Sequence, residues 1–307
     1  MKIVGIGNPV YDYIKTPRVD TEDRILSGCS TNGCLAVSKL GGDAALVGCI
    51  GPDFAESLRQ SLKHYSIEAH ICQSEESGGF SLIYYDELGN RTLDVLGRAA
   101  PIEDLPQDVV SAADGIIIGP ILGETSPELI ERVCMSAQGI VLLDPQGLLR
   151  RIDEAGRVVH RRTDGLDAVI ASCDIVKANE VEARIITGIN PRDSEEALEQ
   201  AVRTLHSLGC DIAVVTMAAD GSAIFDGETY FRIPAFAVDA VDPTGAGDTY
   251  GAGFLMKYLE TSDLEQAGYY GSCVASVMVE NVGPDFPLTR AEADRRYTAL
   301  WQKRDGQ

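Results

Sequence analysis

The chain has 307 residues, 45% of them hydrophobic, enough to bury a full core. It sets 47 Asp and Glu against 26 Lys and Arg, and the resulting formal charge of −21 repels nucleic-acid phosphates and anionic lipid. Neither nucleic acid nor membrane is therefore an expected partner, and the densest basic run, residues 157–162 (R-V-V-H-R-R), reads as a solvated surface stretch. No uninterrupted apolar window of about 18 residues occurs. The opening residues 1–10 are broken by Gly5, Gly7, Asn8 and Pro9, so the expected localisation is cytoplasmic. Eight cysteines stand singly without a C-x-x-C pair and with only four histidines, which predicts reduced, mostly buried thiols and no zinc site.

In chain order, a β-type run at residues 2–6 precedes helical patterning at 32–40, a strand at 45–49 and a helix at 54–64. Residues 81–86 and 91–96 flank Glu87-Leu88-Gly89-Asn90 and predict an antiparallel hairpin at a sheet edge. The rhythm resumes with a strand at 115–118, a helix at 126–135 opened by Ser126 and Pro127, and a strand at 140–144. A strand at 174–177, helices from Asn179 and over 194–208, and a strand at 212–216 follow, then a hairpin within 225–233 turning at Asp226-Gly227. Strands separated by helices predict an α/β fold whose central, mostly parallel sheet is covered on both faces, a three-layer sandwich. With no internal repeat, low-complexity tract or linker, one domain over residues 1–307 is expected.

The stretch 241–255, V-D-P-T-G-A-G-D-T-Y-G-A-G-F-L, runs a glycine-rich turn straight into a helical pattern. Backbone N–H groups of Gly245, Ala246 and Gly247 at a helix N-terminus form an anion hole. Asp248 beside it can accept the proton of an alcohol attacking phosphorus while the amides stabilise the equatorial oxygens. A plain helix cap would use the same aspartate. Asn179-Glu180-Val181-Glu182 has the spacing of a capping box. There is no G-x-x-x-x-G-K-[ST] loop, so ATP use would not be of Walker type, and no G-x-S-x-G elbow. Residues 5–10 lack the third glycine of a dinucleotide fingerprint, since Val10 stands there.

D-P-T-G-A-G-D followed by small and apolar residues resembles the C-terminal signature of the ribokinase (PfkB) family, and three further segments match in order. Gly7-Asn8-Pro9-Val10-Tyr11-Asp12 is similar to the element whose Asp binds acceptor hydroxyls, which implies that role for Asp12. Residues 27–32 resemble G-G-x-x-x-N, with Gly28 and Asn32 matching and Ser27 replacing the first glycine. Asn179 and Glu182 fit N-x-x-E, implying that they organise Mg²⁺ through water and place phosphate. Thr216 and Gly221 fall on a T-x-G-x-x-G-like turn that implies ATP binding, with Ala218 in place of one glycine and Gly247 also on the nucleotide. Asp242 and Thr244 fall where some relatives bind a monovalent cation. The resemblance thus implies the ribokinase-like sandwich with small β-lid elements near 12–28 and 80–98, and an ATP- and Mg²⁺-dependent kinase.

For the acceptor, residues 89–102 and 144–150 resemble archaeal myo-inositol kinases of the family. Gln146 and Leu148 depart from the D-P-N-x-R of its acidic-sugar and fructose kinases, which argues for a neutral polyol, myo-inositol first, held by Asp12, Asn32 and Gln146. Arg98 lines that site, holds phosphate or makes a surface salt bridge; Tyr11 either stacks on a nucleoside base or packs in the core. A nucleoside kinase and a non-catalytic polyol-binding protein on the same fold are the alternatives. Only fifteen residues separate Asp12 from Gly28, a short lid that predicts a monomer or small homo-oligomer.

Overall fold

The computed structural model describes residues 1–85, 91–154 and 156–304. Its strands are β1 Lys2–Ile6, β2 Val10–Lys15, β3 Ile25–Ser27, β4 Asp43–Ile50, β5 Ile67–Gln73, β6 Gly79–Tyr84, β7 Arg91–Gly97, β8 Gly115–Ile118, β9 Ile140–Leu143, β10 Arg150–Ile152, β11 Val158–His160, β12 Ile175–Asn179, β13 Ile212–Thr216, β14 Ser222–Phe225 and β15 Tyr230–Ile233. Its helices are α1 Cys29–Lys39, α2 Ala55–His64, α3 Gln107–Ser111, α4 Pro127–Ser136, α5 Gln146–Leu149, α6 Leu166–Ser172, α7 Glu180–Thr187, α8 Glu195–His206, α9 Ala246–Thr261, α10 Leu264–Val279 and α11 Arg290–Arg304.

Nine strands form one sheet in the order β15-β14-β13-β12-β9-β8-β1-β4-β5. All neighbours from β13 to β5 pair in parallel, and only β14 and β15 run antiparallel at one edge. The inner strands are apolar throughout, as in Gly115-Ile116-Ile117-Ile118, because both faces are covered. Successive side chains divide between two cores. Ile3, Leu46 and Val214 face one that includes Leu35, Phe254 and Tyr270, whereas Val4, Val47 and Val215 face another that includes Leu129, Ile170 and Val202.

The hairpin of residues 81–96 forms as β6 and β7, with Glu87-Leu88-Gly89-Asn90 and Asp86 outside the described residues. It does not edge the main sheet. It joins β2 and β3 in a second sheet, β3-β2-β6-β7, with its own core of Val10, Ile14, Phe80, Leu82, Tyr84 and Ile121. This lid touches the glycine turn. Tyr84 Oη and Thr244 Oγ1 lie 2.9 Å apart, Arg91 Nη1 donates to Tyr84 Oη at 2.7 Å, and Thr16 Oγ1 donates to the Val241 carbonyl.

One expectation needs correction, and two open readings are resolved. Cys49 and Cys72, register partners on β4 and β5, are joined by a disulfide, so the thiol expectation holds only for the other six. Tyr11 stacks on Phe54 at 4.0 Å between ring centroids and is buried, which leaves it no face for a nucleobase. The basic run is a solvated surface stretch as expected, with Arg157, Val159, His160, Arg161 and Arg162 exposed; β11 within it pairs antiparallel with β10, and Arg161 and Arg162 line a cleft. Among the described residues no helix is long and apolar enough to cross a membrane.

Candidate active site

The carboxyl ends of β1, β8, β9, β12 and β13 point to one edge of the sheet, β12 and β13 running three residues past the others, and most of the polar residues singled out above stand at or beyond that edge, where open α/β sheets bind ligands. The turn leading to α9 closes on Gly245, whose φ of +80° is left-handed. The backbone conformation favours glycine, and a Cβ there would lie 3.0 Å from Asn32 Nδ2 and 2.9 Å from Met278 Cε, pushing against both side chains. The N–H of Ala246 bonds to the Pro243 carbonyl at 3.2 Å, so Ala246 shapes the turn and donates nothing outward. The N–H groups of Gly247 and Asp248 follow in the first turn, where no intrahelical acceptor exists.

Asp248, partly buried, accepts a hydrogen bond from Asn32 Nδ2 at 2.9 Å. Asn32 stands in the first turn of α1, which begins directly after Gly28 (φ +116°), so two helix N-termini converge on one carboxylate. Burial and then the neighbouring charge of Asp144 push the Asp248 carboxyl above its ordinary range, opposed by Asn32 and Lys177. A more basic carboxylate is a better proton acceptor.

Cys29 Sγ and carboxylate oxygens of Asp144 and Asp248 lie within 4.8 Å of one another. Lys177, on β12, bonds Asp144 through Nζ–Oδ2 at 2.7 Å, with both side chains 4% exposed. The same Nζ lies 3.2 Å from where a Cβ on Gly247 would sit, so a fixed positive charge adjoins the exposed amides. Burial works against that charge, but Asp144 and Glu182 more than hold it, and the lysine's proton affinity is raised.

On the neighbouring strand end, Asn179 caps α7: its Oδ1 accepts from the Val181 and Glu182 amides, while Glu182 accepts from Asn179 N at 2.8 Å and Nδ2 at 2.7 Å. Burial and the charge of Asp144 push Glu182 up to about 7. Asn179 is the register partner of Thr216 across β12 and β13. The turn after Thr216 ends at Gly221 (φ +87°), and Ala218 adopts φ +49° in it, the left-handed conformation a glycine would take at no steric cost. Asp242 is fully buried, with Oδ1 accepting from Thr244 N and Oδ2 without a partner.

On the lid side, Asp12 accepts from Phe80 N at 2.8 Å and is pushed up to about 6 by burial, against the pull of that N–H. Gln146 opens α5, its N–H directed at Asp144 Oδ1. Arg98 is exposed, with no salt bridge among the described residues, and lines a cleft with Arg150. Thus Gly245, Gly247, Asp248, Asn32 and Gly28 come together, as do Asn179, Glu182 and Thr216. Asp12 lies on the lid side and Arg98 lies apart. Sequence reasoning missed Lys177, Cys29 and Arg150. A lysine inside the buried run Ile-Val-Lys-Ala-Asn was the legible signal for the first, since a lysine is fully buried only when paired.

These groups suit a magnesium nucleotide. Burial and the charge of Asp144 disfavour the ionised form of Glu182, which a hard cation coordinated through water would relieve, and the free amides with Lys177 offer donors for phosphate oxygens.

Residues 9–291 match the pfkB family carbohydrate kinase profile. A nucleoside kinase of Methanothermobacter thermautotrophicus is 29% identical over 97% of this chain and 96% of its own length. Among solved structures, a pyrophosphate-dependent kinase of the ribokinase family complexed with a pyrophosphate analog and myo-inositol superposes with a TM-score of 0.78 at 22% identity, covering 95% of this chain and 99% of that one. Arabidopsis thaliana ribokinase complexed with ribose and ATP superposes with a TM-score of 0.74 at 21% identity, covering 96% and 98%. With the match spanning nearly the whole chain and the glycine turn, Asp248 and Asn179 elements in place, this protein belongs to the pfkB family of carbohydrate kinases, phosphotransferases that act on hydroxyl groups.

Proposed function

We propose that the chain transfers the γ-phosphoryl group of ATP to a hydroxyl of a small polyol, with Asp248 as the base. The observation that carries this is the Asp248 carboxylate, held by Asn32 beside the first-turn amides of α9. Asp248 takes the proton of the acceptor hydroxyl as the oxygen–phosphorus bond forms and the bond to the departing diphosphate breaks. The Gly247 and Asp248 amides and Lys177 hold the charge on the equatorial oxygens. Asn179 and Glu182 hold Mg²⁺ through water, and Thr216 and Gly221 approach the nucleotide. Mg²⁺, when bound, neutralises charge on the phosphates. The unpartnered Oδ2 of Asp242 suits a monovalent cation beside Thr244. Asp12, Gly28, Asn32 and Gln146 face the acceptor's hydroxyls, and the lid keeps water from them.

The 29% identity to a nucleoside kinase favours a second reading, in which the acceptor hydroxyl belongs to a ribose. An assay of ATP consumption against myo-inositol, ribose, fructose, cytidine and adenosine separates the two. Asp248→Asn should lower kcat by a factor of about 100 or more while nucleotide binding and the folded state persist. A variant keeping more than about a tenth of wild-type kcat would remove the base role. Polyol binding without ATP consumption would point to the non-catalytic alternative.

A further inference from the structure

Next to the lid lies a cleft of about 840 Å³ lined by Arg98, Arg150, Arg151, Arg161 and Arg162, with Asp164 its one carboxylate among the described residues. Five of the 26 basic residues thus gather on one hollow of a chain with charge −21. Arg151 Nη1 donates to the Arg150 carbonyl, and Arg162 to the Ile186 carbonyl and Asp167. Arg98 and Arg161 have no side-chain partner among the described residues. Arg150 is 6% exposed; its Nη1 donates to the Ile121 carbonyl at 3.2 Å, and its Nε has no acceptor. Thr125, 1% exposed on the same wall, also has an unpartnered hydroxyl. Leaving a guanidinium N–H buried without an acceptor is costly; the charge of Arg91 adds to that cost, while Glu182, Asp144 and Asp248 offset part of it without giving Nε an acceptor.

Arg150 belongs to the acceptor side as well as to the cleft. Its guanidinium carbon lies 5.6 Å from the ring centroid of Phe80, whose backbone N–H donates to Asp12. Resting on the acceptor site read above, we propose that the acceptor carries an anionic group, a phosphate or carboxylate, which seats in this cleft and takes hydrogen bonds from Arg150 Nε and Thr125 Oγ1. The expectation of an uncharged polyol rested on Gln146 and Leu148 standing where related chains have asparagine and arginine. Helix α5 is a single short turn, and it delivers Arg150 to the acceptor side instead. Planar guanidinium groups suit both oxyanions, with phosphate the better match to several at once.

The test is calorimetric binding of matched pairs to the whole chain without nucleotide: glucitol against gluconate and glucitol 6-phosphate, and myo-inositol against myo-inositol 1-phosphate. The anionic member of a pair should bind about tenfold tighter or more, and Arg150→Gln should erase that preference. Arg161→Gln, on an exposed side chain, should reduce it without risk to folding. Whether gluconate or the phosphates gain most identifies the oxyanion. Equal affinities within every pair, or a preference untouched by both substitutions, would overturn the inference. So would inorganic phosphate that binds without competing against any acceptor, since the cleft would then serve a separate effector. ATP consumption with neutral acceptors alone removes this inference and leaves the kinase reading standing. A charge preference without ATP consumption does the reverse.

Discussion

Glu182 caps the backbone of Asn179 as a carboxylate, yet burial and Asp144 favour its proton. Its folded-state value of about 7 stands above the ordinary 4.5, so between these the native chain binds more protons than the unfolded one. Wild-type stability, measured against Glu182→Gln, should therefore fall as pH rises from about 4.5 to about 7, by up to roughly 3 kcal/mol. Urea unfolding of both proteins at pH 4.5 and pH 8 reads the difference directly; a constant gap between them would contradict the assignment. Asp248, Asn32, Asn179 and Glu182 were legible because each lies in a short local pattern whose chemistry depends on spacing. Lys177 and Arg150 were not. The partner of Lys177 is 33 residues away in sequence, and Arg150 acquires its setting only when the lid folds over it.

Helices α1 and α9 meet at their N-terminal ends, and a methyl group at Gly245 would press on the side chains of Asn32 and Met278. Gly245→Ala should destabilise the chain by about 1–3 kcal/mol and lower kcat as Asn32 is displaced from Asp248. Gly41 is the internal control, since its φ of +84° is equally left-handed but a Cβ would meet nothing within 4 Å. Gly41→Ala should cost only the backbone strain and leave kcat unchanged, so thermal unfolding and kinetics of the pair separate strain from crowding. The start of α1 shows why element boundaries were harder to read than elements. Its first turn, Cys-Ser-Thr-Asn, is buried but polar, so no apolar period announced it, and the predicted helix began at residue 32 rather than at Cys29. Strands β1, β8 and β13 matched their predicted bounds because apolar runs covered on both faces leave little choice.

Across the whole molecule, alternation of strand and helix foretold a parallel sheet covered on both faces. The order of the strands, and the separation of β2, β3, β6 and β7 into a second sheet, depend on pairings between distant segments that no local pattern records. That second sheet reaches the opposite side of the site through the Tyr84 phenol, shared by Thr244 and Arg91, and through the Thr16 hydroxyl on the Val241 carbonyl. A molecule that settles beneath β2 and β6 therefore also steadies the loop from which α9 springs, and whatever grips that loop steadies the roof in return. Acceptor and nucleotide should then be mutual allies, each raising the other's affinity by the same factor, whichever arrives first. Tyr84→Phe should shrink that factor, so that nucleotide affinities measured with and without acceptor draw together. An undiminished ratio would mean that roof and floor act independently.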